Sequence, residues 1–290
     1  MYSPVTVDLD REAAGRYVLS RLTPEGGYSF YRTPQWGVEE PNAPDTLAAL
    51  ESLRILGIVA PRPASTGAWL RALQAEDGGY PTLTIGWAAL RSLALLGIEP
   101  VHPFAKWLSG REHALLGERL VRDWRGALRD ALRLVELSHL SEPAPGRTRR
   151  GVFSGLLDEA RDPFGGWASP GADLETTGVA VLIGGPKDLS GHDRVDAGDF
   201  LRRCEDGVLG LRLRPDAGAT SVGALWGGLE LAGHLGLALT HPGAVAESLA
   251  LMQRVDGGLG ARHAAISTLQ DTWRGLEAAR LLDQLQEAAP

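Results

Sequence analysis

Residues 68–97 read AWLRALQAEDGGYPTLTIGWAALRSLALLG, and this stretch contains the pattern that decides the fold. A segment with apolar residues at helical spacing precedes the turn Gly78-Gly79-Tyr80, and a second such segment runs through Trp87 to Leu96. A helix ends readily at glycine, because glycine adopts a positive φ without steric conflict. The stretch therefore predicts a helix–turn–helix unit in which the Gly-Gly pair is architectural.

Similar units recur along the chain. Gly-Gly turns lie at 26–27, 78–79, 165–166 and 257–258, a looser turn lies at 207–210, and the third unit has none. The units cover residues 10–60, 61–100, 101–142, 147–190, 191–240 and 241–290, and each is long enough for two helices of about three to four turns. We predict one all-α domain over residues 1–290.

The two helices of a unit differ in composition. The first is amphipathic, as in residues 69–74, and the second is rich in Ala, Gly and Leu, as in residues 223–229. Small residues let neighbouring backbones approach closely, which suits an inner ring of helices surrounded by an outer ring. Six pairs can close into an (α/α)6 toroid with a central cavity. The alternative is an open solenoid, which would need polar terminal caps that neither end shows.

Composition excludes several classes of protein. The net charge is −7 and no basic run is present, so a nucleic-acid-binding protein is not expected. The single Cys204 excludes an intramolecular disulfide and a Cys-rich zinc site. The longest weakly charged stretch, residues 217–240, is interrupted by Glu230, His234 and several glycines, so we expect no transmembrane segment. The N-terminus lacks the features of a signal peptide, and we expect a cytoplasmic protein.

Three segments resemble one superfamily. Residues 74–80 resemble the QW-type repeat of triterpene cyclases, and residues 257–260 with 270–273 are similar to the last repeat of protein prenyltransferase β subunits. Residues 165–168 with 173–182 resemble the squalene–hopene cyclase segment that carries the Asp-x-Asp-Asp acid motif. The resemblance covers five of the six units. It implies the prenyltransferase/squalene cyclase repeat superfamily with an α/α toroid fold, and it is less specific for activity.

The same resemblance implies a catalytic acid. Glu175 occupies the place of the Asp that protonates an alkene or epoxide, with Asp173 as its polarising partner and Thr176 and Thr177 as tuning groups. Such chemistry needs a dry cavity, because burial and a neighbouring carboxylate both favour the protonated form of a carboxyl group. The competing interpretation is structural: Asp173 caps a helix, and Glu175 in the first turn suits the helix macrodipole.

Aromatic and cationic residues are candidates for binding the substrate. Trp87, Trp124, Trp226 and Trp273 fall in predicted inner helices, and Trp167 falls in a loop near the cavity. Indole faces stabilise cations, as a carbocation-processing cavity requires. Arg274 follows Trp273 and is a candidate contact for a diphosphate, since guanidinium groups bind phosphates in bidentate fashion. Mg²⁺ is expected only with a diphosphate substrate.

The zinc site of the protein prenyltransferases is not expected. Asp196 matches one ligand of that site, but Gly198 stands in place of Cys and Arg274 in place of His. A guanidinium cannot bind zinc, so we predict no metal and no other resident cofactor.

Three functions remain open. The first is a class II-like terpenoid cyclase, an isomerase or lyase, that acts on a small-molecule isoprenoid, either a polyene or a prenyl diphosphate. The second is a non-catalytic or partner-dependent toroid that binds an apolar ligand, a protein partner or a second copy of itself. The third is another (α/α)6 enzyme that acts on a carbohydrate or peptide, with Asp45, Asp123 or Asp271 as the acid.

Overall fold

The computed structural model describes residues 5–33, 35, 37, 39–117, 123–141, 150–185 and 189–288. Within these ranges the chain is mainly helical, as predicted, with two small antiparallel ribbons. The helices are α1 (Arg11–Ser20), α2 (Ala43–Leu56), α3 (Pro63–Ala72), α4 (Leu83–Leu95), α5 (Ala105–Gly117), α6 (Trp124–Leu140), α7 (Arg150–Ala160), α8 (Leu174–Gly184), α9 (Gly191–Cys204), α10 (Val222–Leu235), α11 (Pro242–Met252) and α12 (Leu269–Glu287). The ribbons pair β1 (Glu205–Asp206) with β2 (Gly210–Leu211), and β3 (Leu259–Gly260) with β4 (Ser267–Thr268). The predicted boundary between the third and fourth units, at 142–147, lies outside the described residues.

The even-numbered helices form the interior. Each contacts the next even-numbered helix along the chain, and α12 contacts α2, so the series of contacts returns to its start. Each odd-numbered helix packs against the even-numbered helix that follows it. None of the described helices combines the length and the apolarity that a membrane crossing requires.

Each even-numbered helix begins at a side chain that caps it. In all six, an oxygen of the cap accepts a hydrogen bond from the backbone N–H three residues later, and such a cap stabilises a helix by about 1 kcal/mol. The caps are Asn42, Thr82, Asp123, Asp173, Ser221 and Thr268. Asp123 and Asp173 are therefore caps, whereas Asp45 and Asp271 lie three residues beyond the caps of α2 and α12.

A buried threonine four residues after the cap joins the helix to its Gly-Gly turn in three units. Its hydroxyl oxygen accepts a hydrogen bond from the backbone N–H of the residue that follows the two glycines. The pairs are Thr46 with Tyr28 at 2.9 Å, Thr177 with Trp167 at 3.2 Å, and Thr272 with Leu259 at 2.9 Å. The contact of Thr177 is therefore architectural, because equivalent threonines make it in the first and last units.

We expect Thr272→Val to lower the free energy of unfolding by about 1–3 kcal/mol. Valine keeps the shape of the side chain but leaves the buried N–H of Leu259 without its acceptor. Urea denaturation measures the loss, and Thr6→Val, at an exposed position, is the control. Equal denaturation midpoints for the two variants would contradict this role.

Successive units are joined by a repeated contact. The side-chain amides of Gln74 and Gln253 each make two hydrogen bonds with the backbone of one residue, one accepted and one donated. In both cases that residue lies shortly before an odd-numbered helix. The bonds are His102 N to Gln74 Oε1 and Gln74 Nε2 to His102 O, both 2.9 Å, and Asp10 N to Gln253 Oε1 and Gln253 Nε2 to Asp10 O, at 2.8 and 2.9 Å. The contact that joins the second unit to the third therefore also joins the last unit to the first.

Helices α8 and α10 pack unusually closely. Gly178 and Gly227 face each other, and a Cβ atom on Gly178 would lie 2.5 Å from the carbonyl oxygen of Gly227. A Cβ atom on Gly227 would lie 2.6 Å from the Cα atom of Glu175. The small residues of the inner helices thus allow the close backbone approach that the sequence predicts.

Candidate functional site

All six even-numbered helices contribute side chains to one cavity of about 570 Å³. Much of its lining consists of Arg, Glu and Asp, and the main aliphatic members are Leu132, Val179 and Leu182. The expectation of an apolar cavity is therefore wrong: the cavity is aromatic, as predicted, but also densely charged.

We group the lining residues into three layers by their distance from the cap of their helix and, on α6, by their contacts with the other helices. The layer nearest the N-termini contains Arg129, Glu175, Gly223, Gln270 and Asp271. The next, which we call the tryptophan layer, contains Trp87, Arg133, Trp226, Trp273 and Arg274. The third, the ionic layer, contains Glu51, Arg91, Glu136, Glu230 and Glu277.

The tryptophan layer follows from the common register of the helices. Trp87, Trp226 and Trp273 each lie five residues after the cap of their own helix, and all three line the cavity. The other two predicted tryptophans are placed differently. Trp124 is the first residue of α6 and is not among the lining residues, and Trp167 is buried, with its indole N–H donating to the carbonyl of Leu157 at 3.1 Å.

The indole faces of this layer already lie near guanidinium groups. Arg274 lies over Trp226 and Trp273, with its Cζ 3.6 and 4.8 Å from the ring centroids. Arg133 lies 5.3 Å from the centroid of Trp87. The cation–π contacts predicted for a substrate cation are thus made, in this structure, by the protein's own arginines.

Asp173 and Thr176 do not line the cavity. One carboxylate oxygen of Asp173 accepts from the backbone N–H of Thr176 at 2.8 Å, and the other accepts from Nε of Arg125 at 2.7 Å. Thr176 itself is buried. The predicted polarising partner of Glu175 is therefore engaged as a helix cap and an ion-pair partner.

Glu175 lines the cavity, as predicted, but its charge is compensated. Its Oε1 lies 3.3 Å from Nη2 of Arg129, and about a third of its side chain is exposed. Gly223 makes room for this carboxylate between α8 and α10, since a Cβ atom on Gly223 would collide with it. An acid that must release a proton is better placed where no cation holds its carboxylate.

Asp271 meets that condition. Burial raises the pKa of Asp271, and the nearby charge of Glu175 raises it further, against the effect of a hydrogen bond from the Thr268 hydroxyl. In the part of the chain that the structure describes, no cationic group lies within 4.0 Å of its carboxyl oxygens. In the sequence, the feature that points to Asp271 is its position one turn after the cap of α12, on the helix face that also carries Arg274.

Glu230 is a second carboxyl group with a raised pKa, and sequence reasoning gave it no role. Burial is the main cause, and the imidazole of His234, 3.8 Å away, opposes it. Glu277 lies nearby and adds to the increase in pKa. The cavity therefore holds two carboxyl groups with raised pKa values, Asp271 and Glu230, in different layers.

We expect Asp271→Asn to stabilise the protein increasingly as pH rises. Because the folded-state pKa of Asp271 is raised, the native state binds more protons than the unfolded state between the two pKa values, and stability falls as pH increases through that window. Asparagine keeps the hydrogen-bond acceptor for Thr268 and does not ionise. The difference in Tm between variant and wild type should be larger at pH 8 than at pH 4, and a pH-independent difference would refute the raised pKa.

The residues that correspond to the prenyltransferase zinc ligands do not fit a metal. Asp196 lies on α9, outside the cavity lining, and accepts contacts from His192 at 2.8 Å and Arg161 at 3.4 Å. Arg274 lies in the cavity and has no atom that can bind a metal. Among the described residues, no group of three or more His, Cys, Asp or Glu side chains could hold a metal ion.

Comparison with known proteins adds no assignment. The chain matches no protein-family model, and no curated protein is significantly similar to it. The resemblance to the prenyltransferase/squalene cyclase superfamily therefore depends on the motifs of the sequence and stays a prediction.

Proposed function

We propose that the chain is an (α/α)6 toroid and a class II-like terpenoid cyclase, with a prenyl diphosphate as substrate and Asp271 as the proton donor. The observation that carries the proposal is the environment of Asp271. This carboxyl group faces the central cavity, has a raised pKa and no cationic partner among the described residues, and lies one layer from three tryptophans.

The toroid is supported by two kinds of contact. The even-numbered helices contact one another in sequence and α12 returns to α2, and all six line one cavity. The Gln253–Asp10 contact joins the last unit to the first in the same way that Gln74–His102 joins the second unit to the third. In an open solenoid, the first and last units would not meet, so α12 would not contact α2 and Gln253 would not contact Asp10.

The proposed reaction begins with proton transfer. The carboxylic acid of Asp271 gives its proton to one carbon of a substrate alkene, whose π electrons form the new C–H bond. A second alkene attacks the resulting carbocation and closes a ring, and loss of a proton from the cyclic cation returns the system to neutrality. General acid catalysis of this kind is efficient when the pKa of the acid is raised toward the working pH.

The charged lining favours a prenyl diphosphate over a neutral polyene. A neutral chain would have to displace water from arginines and carboxylates without replacing their hydrogen bonds, which is unfavourable. A diphosphate would bind guanidinium groups directly, and its hydrocarbon part would contact Trp87, Trp226 and Trp273. The cavity volume is within the usual range for a small-molecule site.

The test is incubation of the purified chain with prenyl diphosphates of C10 to C20 and with a neutral C30 polyene, each with and without Mg²⁺, followed by mass spectrometry and chromatography. We expect a prenyl diphosphate to yield a cyclic isomer of unchanged mass that retains its diphosphate. The neutral polyene should be recovered unchanged. Recovery of every substrate unchanged would remove the cyclase proposal.

A second candidate is a non-catalytic toroid that binds its ligand without turnover. The ion pair between Glu175 and Arg129 favours it, because the residue that corresponds to the family's catalytic acid is engaged in the structure. In the same assay, this candidate predicts saturable binding of a prenyl diphosphate together with full recovery of the ligand.

A further inference from the structure

One arginine of the cavity differs from the others in its ionic contacts. Four cavity arginines have a carboxylate oxygen within 4.0 Å: Arg54 and Arg91 contact Glu51, Arg129 contacts Glu175, and Arg133 contacts Asp130. Arg274 has no carboxylate within that distance in the described chain, and no described group accepts a hydrogen bond from it. The carboxylates of Glu175, Glu136 and Glu230 interact with the charge of Arg274 only at longer range.

Two indoles fix the position of this guanidinium. Arg274 packs on Trp226 at 3.6 Å and on Trp273 at 4.8 Å, and both rings are almost fully buried. A guanidinium donates its hydrogen bonds in its own plane, through five N–H groups. No described group accepts a hydrogen bond from these N–H groups, so they are available to a ligand, and the residue lines the cavity.

Without an anionic partner, the guanidinium of Arg274 lacks hydrogen bonds that would compensate for its burial. Arg274 is only partly exposed to solvent, and burial lowers the pKa of its guanidinium, because removing a charge from water is unfavourable. The cation–π contacts with Trp226 and Trp273 compensate for part of that loss. Charge-assisted hydrogen bonds to an oxyanion are roughly twice as strong as neutral ones, and a guanidinium can make two in parallel.

We propose that Arg274, held between Trp226 and Trp273, is an oxyanion subsite that binds the phosphate or carboxylate group of the cavity's ligand. The inference rests on the proposed function only in taking the cavity as the ligand site, and it does not require turnover. Arg274 and Asp271 lie three residues apart on α12, so both side chains face the cavity from neighbouring turns. The subsite thus holds the anionic group of the ligand close to the proton donor.

The experiment is isothermal titration calorimetry of the full chain with inorganic diphosphate, inorganic phosphate and acetate as separate probes. Tryptophan fluorescence is recorded in parallel, because an anion on Arg274 alters the surroundings of both indoles. We expect wild type to bind at least one of these anions. The diphosphate and phosphate arms identify a phosphate ligand, and preferential binding of acetate identifies a carboxylate ligand.

Three variants make the assignment specific. Arg274→Gln should weaken binding of the preferred anion by about 10-fold to 100-fold, as expected for loss of a charged hydrogen-bond donor. Arg274→Lys keeps the charge without the planar pair of donors and should be intermediate, and it serves if the Gln variant does not fold. Arg16→Gln removes a charge that is paired with Glu12 on α1, outside the cavity lining, and the affinity of this variant for the anion should stay within about 3-fold of wild type.

The outcomes separate this inference from the proposed function. Anion binding that depends on Arg274 without any turnover upholds the subsite and removes the cyclase. Turnover with equal anion affinity in wild type and Arg274→Gln upholds the cyclase and overturns the subsite. Failure of wild type to bind any of the three anions also overturns the subsite.

Discussion

Gly227→Ala is expected to destabilise the protein by about 3 kcal/mol or more, or to prevent folding. The added methyl group would meet backbone atoms of α8, namely the carbonyl oxygen of Leu174 and the Cα atom of Glu175. A side chain could rotate away, but these atoms can move only if α8 and α10 separate. Inserting one carbon into well-packed surroundings typically costs about 1–3 kcal/mol, and a backbone obstacle places this case at the upper end.

Gly233→Ala on the same helix is the matched control. Its Cβ atom would come no closer than 4.0 Å to a neighbour, the Cδ2 atom of Leu285. Alanine is the better helix former by about 0.5–1 kcal/mol, so this variant should equal or exceed wild type in stability. Thermal unfolding followed by circular dichroism measures both variants. A Tm of Gly227→Ala equal to that of wild type would contradict the close packing of α8 and α10.

Asp271→Asn is expected to reduce turnover by about 100-fold or more, in the range attributed to a positioned general acid. The substitution keeps the size of the side chain and the acceptor for the Thr268 hydroxyl, and it removes the transferable proton. Substrate binding should change little, because the anionic group is expected at Arg274.

Glu175→Gln is the informative comparison. This substitution removes the ion pair between Glu175 and Arg129. If Asp271 is the acid, the variant should keep more than about a tenth of the wild-type activity. Rates under single-turnover conditions, with circular dichroism as a check of folding, separate the two roles. Loss of activity only in Glu175→Gln would return the acid role to the residue that the family resemblance implies.

The sequence predicts the helical architecture well, for a physical reason. Helix periodicity and the Gly-Gly turns are local properties, and they recur with the repeat. The positions of Trp87, Trp226 and Trp273 could also be predicted, because each lies at the same distance from a helix cap. Trp124 lies one residue after its cap and Trp167 in the turn before α8, so an aromatic residue near the start of an even-numbered helix does not by itself predict a position in the cavity lining.

The electrostatics of the site could not be predicted in the same way. The ion pairs of Arg129 with Glu175 and of Arg125 with Asp173 join residues that are 46 and 48 positions apart in the chain. The motif 173–177 indicated a helix cap at Asp173 as one interpretation, but it gave no sign that Glu175 pairs with an arginine of α6. The raised pKa of Asp271 depends mainly on burial, which follows from the arrangement of several helices.

The central claim is that Asp271 presents, in the cavity between the even-numbered helices, a carboxylic acid whose pKa is raised. Carbon-13 NMR of protein labelled at the aspartate carboxyl groups tests it most directly, with Asp271→Asn used to assign the resonance. We predict that the Asp271 resonance titrates at a higher pH than the ordinary aspartate value of about 4. A titration at or below that value would contradict the account.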